Sequence, residues 1–178
     1  DSKMNGHAAV HFAASGLALP GALNPFAGDE RISIVLVAWP SMDGQGDGTG
    51  HMLYQGKCLL GGMNGGVRSD VNPQFHFMQG NRFCFGRSWG QPDAAVRALS
   101  RPDRDLKNAP HVLVGTIDRD RISLMVDGAY TTTNTPPSMA TWQLFRRTNG
   151  DQAGAATPLY LGVSLDDDKN ISHCGPFD

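Results

Sequence analysis

Chemistry needs polar groups that a fold can bring together, and this chain offers them in a few places. Glycoside hydrolysis uses two carboxyl groups flanking the scissile bond, about 5–5.5 Å apart in retaining enzymes. The chain has a single Glu, Glu30, in front of an apolar run. Asp118 and Asp120 lie close in sequence, but in a turn, where Asp is expected for backbone reasons alone. Proton abstraction from an acidic sugar would need a base beside a cationic or amide group. His76, Arg82, Arg87 and Gln74 fall on or near one candidate hairpin and supply those types. A histidine on an apolar strand is more often a core residue, and that reading is favoured for His76.

Two acidic loops have the oxygen-rich composition that a hard cation such as calcium prefers. One runs Arg68-Ser69-Asp70-Val71-Asn72, the other Leu165-Asp166-Asp167-Asp168-Lys169-Asn170. The candidate ligands are Asp70, Asn72, Asp166, Asp167 and Asp168. A weaker third loop spans Asp43 to Asp47. The plain alternative is a solvated surface run, and no EF-hand spacing is present. For a glycan, Trp89 is the candidate platform, because it stands in the polar, glycine-flanked segment Arg87-Ser88-Trp89-Gly90. Such a ring either faces a ligand or folds back over the core. Trp39 and Trp142 sit in strand contexts and read as core. Cys58, Cys84 and Cys174 lack the CxxC spacing of zinc or redox sites, and Cys84 reads as a small apolar core residue.

The elements that must position these groups are strands. HVLVGTIDRDRISLMVDG, residues 111–128, reads as two strands joined by Asp118-Arg119-Asp120, with Ile122, Leu124 and Val126 on one face. That period of two is what a half-buried strand requires. Asp127-Gly128 tolerates positive φ and closes the second strand with a sharp turn. RISIVLVAWP, residues 31–40, is apolar on both faces and is expected in mid-sheet with both sides covered. QFHFMQGNRFCFG reads as a hairpin with Gly80-Asn81 at its tip. A two-residue loop would put Phe75, Phe77 and Cys84 on one face and His76, Met78, Phe83 and Phe85 on the other. Further strands are expected at 8–13, 51–60, 142–147 and 158–163. Residues 94–100 read as a strand or one helical turn, 16–28 as a turn-rich link, and 129–137 as a polar, Thr-rich link.

Composition agrees. The chain has 178 residues, with 22 Gly and 11 Pro but one Glu and four Lys, so it is rich in turns and poor in good helix formers. About ten to twelve short strands imply a single all-β domain over 1–178, an antiparallel two-sheet β-sandwich or jelly roll. A net charge of −2 gives no basic footprint for nucleic acid. No run of about 18 apolar residues is present, so no membrane span is expected. Asp1 opens the chain without an initiator Met or a signal-peptide pattern, which leads to the expectation of a piece of a longer protein.

AVHFAASGLALP, RISIVLVAWP, HVLVGTIDRDRISLMVDG, PLYLGVSLDDD and the closing HCGPFD follow one another in an order that resembles the laminin-G-like domains of the concanavalin A-like lectin/glucanase superfamily. The resemblance covers most of the chain through short structural motifs, and residues 42–109 match only loosely. The sequence ends at Phe177-Asp178, where the family's last strand would begin, so that strand is expected to be missing or supplied by another chain. The resemblance implies a two-sheet sandwich with a concave face and rim loops. It also implies relatives that bind glycans or proteins, often with calcium, and some that are glycosidases or polysaccharide lyases.

The expected function is a non-catalytic module binding a glycan or protein surface, calcium-assisted, through Trp89, Arg87 and His76. Its expected setting is an extracellular, cell-surface or virion-surface protein. A structural or assembly role, as a homo-oligomer through sheet edges, is the alternative, and a polysaccharide lyase is third.

Overall fold

The structure is a computed structural model that describes residues 3–4, 6–12, 16–20, 23, 31–41, 57–61, 73–78, 80–87, 96–118, 121–134, 159–162, 164–165 and 171–172. Among them fourteen strands and no α-helix occur. Four strands form one antiparallel sheet: β4 (Arg31–Ala38), β9 (His111–Asp118), β10 (Arg121–Val126) and β11 (Ala129–Asn134), in the order β11-β10-β9-β4. A six-stranded antiparallel sheet faces it, in the order β3-β12-β5-β6-β7-β8. Its members are β3 (Leu17–Leu19), β5 (Lys57–Gly61), β6 (Gln74–Met78), β7 (Arg82–Arg87), β8 (Val96–Leu99) and β12 (Leu159–Leu161). Two small ribbons complete the set, β1 (Lys3–Met4) with β2 (His7–Ala8), and β13 (Ser164–Leu165) with β14 (Ile171–Ser172). This is the expected all-β, two-sheet sandwich.

The β9–β10 hairpin has the expected bounds, and Arg121 pairs Asp118 across the turn. Ile122, Leu124 and Val126 are all buried on one face, as their spacing requires. Asp127 and Gly128 adopt φ of 48° and 83°, the left-handed turn that lets β11 fold straight back. Residues 129–134 are therefore a paired strand rather than a link, with Val126 opposite Ala129 and Arg121 opposite Asn134. Threonine and tyrosine favour a pleated strand with one wet face, so polarity alone misleads there. Likewise Leu17–Leu19, expected in a turn-rich stretch, forms β3 against β12.

β4 departs from expectation. Among the described strands it ends its sheet, and its burial alternates: Ile32, Ile34 and Ala38 face the core, whereas Val35 is 65% exposed and Val37 is 54% exposed. Its apolar outer side is a surface.

The β6–β7 hairpin also differs, by one residue. Met78 pairs Arg82, so the loop has three residues, 79–81, with Gly80 at φ 77° and Asn81 at φ 52°. A one-residue slip moves one strand's side chains to the opposite face relative to its partner. Phe75 therefore pairs Phe85 and Phe77 pairs Phe83, and all four rings share the inner face. Their centroids lie 4.4 Å apart in the first pair and 5.0 Å in the second, at the short end of the spacing that aromatic pairs favour. Gly115 on β9 makes room for them: a Cβ there would stand 2.5 Å from the Phe75 ring and 2.6 Å from that of Phe85. The sheets interlock at this point, with Leu113, Ile117, Ile122 and Leu124 closing the core around the rings.

Candidate functional site

Two constellations of polar groups emerge from this frame. The first closes the open end of the β9–β10 hairpin. Val112 N–H donates to Asp127 Oδ1 at 2.9 Å, and Asp127 N–H returns to the Val112 carbonyl at 3.0 Å. His111 Nδ1–H donates to Asp127 Oδ2 at 2.6 Å. The His111 ring is buried and meets the edge of Phe83 at 5.6 Å between centroids. Burial of the Asp127 carboxyl works to raise its pKa. The hydrogen bonds from His111 and Val112, with the nearby charges of His111 and Arg104, outweigh that and hold it below the ordinary value of 3.8. The other ring nitrogen, Nε2, is buried without a hydrogen-bond partner among the described residues. The pair thus ties the start of β9 to the end of β10 as a clamp. Its sequence signal was an Asp chosen at a turn with a His at the start of the preceding strand, which reads as turn chemistry alone.

The second constellation is the outer face of the four-stranded sheet, where register arranges residues in rows across the strands. The first row carries Arg31, Asp118 and Arg121, all exposed, with Arg31 Nε 3.1 Å from Asp118 Oδ1. The second carries Ser33, Thr116 and Ser123, whose latter two hydroxyls are hydrogen-bonded to each other. The third carries Val35, Val114, Met125 and Tyr130, and the fourth Val37 and Val112. Val35, Val37, Val112 and Tyr130 are exposed, while Val114 and Met125 are half-buried between them. Charge, hydroxyl and hydrocarbon thus succeed one another down a single face. Such a contiguous apolar band differs from scattered surface valines, because it offers one continuous area to another surface. Sequence reading missed it by taking the outer valines of β4 as buried.

Of the residues singled out from sequence, few are described. His76 lies on β6, opposite Cys84, and is buried at 2% exposure on the side away from the four rings. Cys84 is likewise a buried thiol. Arg87 ends β7, where only its backbone is described. Trp89 and the five residues named for calcium, Asp70, Asn72, Asp166, Asp167 and Asp168, lie outside the described residues, as do Trp142 and the strand expected at 142–147. Among the described residues no group of three or more His, Cys, Asp or Glu side chains stands close enough to hold a metal ion. No helix among them is long and apolar enough to cross a membrane.

No protein-family model matches the chain, and no curated protein matches it in sequence. Its shape does have relatives among solved structures. Domains LG4-5 of the mouse laminin alpha1 chain superpose with a TM-score of 0.51 at 16% identity, over 94% of this chain and 38% of that one. The LG1-3 region of the laminin alpha2 chain superposes with a TM-score of 0.53 at 9% identity, over 94% of this chain and 29% of that one. The chain thus spans well under half the length of either. With its two antiparallel sheets and their shared phenylalanine core, the chain has the β-sandwich fold of the laminin LG domains.

Proposed function

We propose that this chain is a non-catalytic recognition module that engages a protein or glycan surface in an extracellular setting. The observation that carries the reading is the outer face of β11-β10-β9-β4, where exposed Val35, Val37, Val112 and Tyr130 lie around half-buried Val114 and Met125 and border the charged row of Arg31, Asp118 and Arg121. Hydrocarbon supplies affinity on desolvation, and the adjoining polar rows supply register and partner choice. The likeness to laminin domains supports the extracellular setting and the binding role. The chain's single Glu supports a role other than paired-carboxylate hydrolysis.

Calcium assistance belongs to the glycan version of the proposal. It is supported by the carboxylate-rich stretches around Asp70 and Asn72 and at Asp166–Asp168, with Trp89 and Arg87 as the accompanying sugar contacts. The test is a glycan and extracellular-protein array probed with the chain, in calcium and again in chelator, beside a Tyr130→Ser variant. Binding that Tyr130→Ser abolishes supports the face. Glycan binding lost only on chelation moves the site to the acidic loops, and silence throughout removes the recognition reading.

A further inference from the structure

Building on the reading of this face as a recognition surface, we propose that its partner is a second copy of this chain, stacked face to face about a two-fold axis parallel to the strands. Such an axis keeps every row at its own height and reverses the strand order. β9 then lies over the partner's β10, and β4 over the partner's β11. Asp118 comes to face the partner's Arg121, and Arg121 the partner's Asp118, because the two share one row on neighbouring strands. In the third row Val114 faces the partner's Met125, and Val35 the partner's Tyr130. The first three rows meet their own kind, the charged one with opposite signs, and in the fourth row Val112 lies over the partner's Asp127, whose carboxylate is already bonded to His111 and Val112.

The other in-plane two-fold, perpendicular to the strands, does worse, because it sets two charges of each copy against valines. It would lay β4 on β4 with its ends exchanged, setting Arg31 over the partner's Val37 and Asp118 over the partner's Val112. Desolvating a charge against a valine is costly. The pattern of charges therefore selects one symmetry, and isologous two-fold pairing is the commonest mode of self-association.

Size sets the strength. Four strands spaced about 4.8 Å apart, two of eight residues and two of six, present roughly 450 Å² per partner. Stable complexes bury about 800 Å² per partner, so this contact is a weak one. Weak contacts of this kind gain effect when copies are held close together.

Sedimentation equilibrium of the chain from about 10 μM to about 1 mM tests the proposal. The expected result is a reversible dimer that Arg121→Asp weakens by about tenfold or more. The double exchange Asp118→Arg/Arg121→Asp should restore it, since opposite signs meet again. Val35→Lys, which leaves the charged row intact, should abolish it, with melting temperatures recorded to confirm that each variant folds. A monomer at every concentration overturns the proposal, as does a dimer indifferent to Arg121→Asp and Val35→Lys. If the chain is monomeric yet its array binding still depends on Tyr130, self-association falls while the recognition reading stands. A monomer whose binding ignores Tyr130 removes both self-association and this face as the recognition surface, and a monomer silent on the array removes the recognition reading itself.

Discussion

The β6–β7 and β9–β10 hairpins are built by the same backbone device and put to opposite uses. In the first, Phe75, Phe77, Phe83 and Phe85 fill the space between the sheets, and the reverse side carries the buried His76 and Cys84. In the second, Leu113, Gly115 and Ile117 with Ile122, Leu124 and Val126 face inward, and the reverse side is exposed at Val112, Asp118 and Arg121, half-buried at Val114, Thr116 and Met125, and buried at Ser123. Covering both sides of a hairpin turns its side chains into cohesion. Covering one leaves the other free to select a partner, provided the inner side alone holds the fold.

The difference can be broken first at the rings. Phe77→Ala removes a fully buried aromatic and should cost about 3–5 kcal/mol in urea denaturation. A loss below about 1 kcal/mol would mean that the first hairpin is no more cohesive than the second. Gly115→Ala drives a methyl group into the Phe75 and Phe85 rings and should cost about 1–3 kcal/mol. Phe85→Leu in the same chain should recover part of that loss, since it vacates some of the space the methyl group needs.

Asp127 sharpens the comparison, because it ties the second hairpin shut at the surface. Asp127→Ala should cost roughly 1–2 kcal/mol through the lost bonds to His111 and Val112. Its carboxyl is held below 3.8 in the folded chain, so the unfolded chain takes up that proton first. Its stabilising contribution is therefore complete above pH 3.8 and is lost as pH falls through the lower folded value. Asp127→Asn should flatten that part of the acid limb in a pH series of melting temperatures. The smallest effect belongs to the bare face: Val35→Ser should change stability by less than about 0.5 kcal/mol while reducing association and array binding. An equal loss of stability would show that the outer row is structural after all.

The elements that were legible in the sequence were those whose local chemistry decides them. Residues 111–128 show their period of two and their Asp-Gly turn openly, and the structure follows both. The slip at β6–β7 has a physical origin: Gly80-Asn81 satisfies a two-residue loop and a three-residue loop equally well, and only packing four rings together on one side distinguishes them. β11 was hidden because Thr131–Thr133 signal polarity more loudly than pairing. In β4 the hint of an exposed face lay in Arg31 and Ser33 alternating with Ile32 and Ile34, but Val35 and Val37 continue that face in hydrocarbon and hid the period. Of the site, the Arg31/Asp118/Arg121 row and the valine band could not be read before the register was known, since they join residues from strands far apart in sequence. Trp89 and the Asp166–Asp168 run stood out by residue type, and residue type does not fix where a loop carries its side chains.

That distance along the chain has a kinetic side. β4 pairs β9 over its whole length, yet His111 follows Ala38 by 73 positions. At about 5–20 residues per second, a ribosome leaves β4 waiting roughly 4–15 s for its neighbour. For that interval an eight-residue, β-branched strand has both edges unpaired, the condition under which nascent chains clump. The charges of Asp29, Glu30 and Arg31 at one end and Pro40 at the other stand as gatekeepers around it. Closure of a loop this long is slow, so β4 is expected to dock late on a preformed β9-β10-β11 meander. The outer face would then come into being only with the last step of folding, after the chain has passed the stage at which its valines are a hazard.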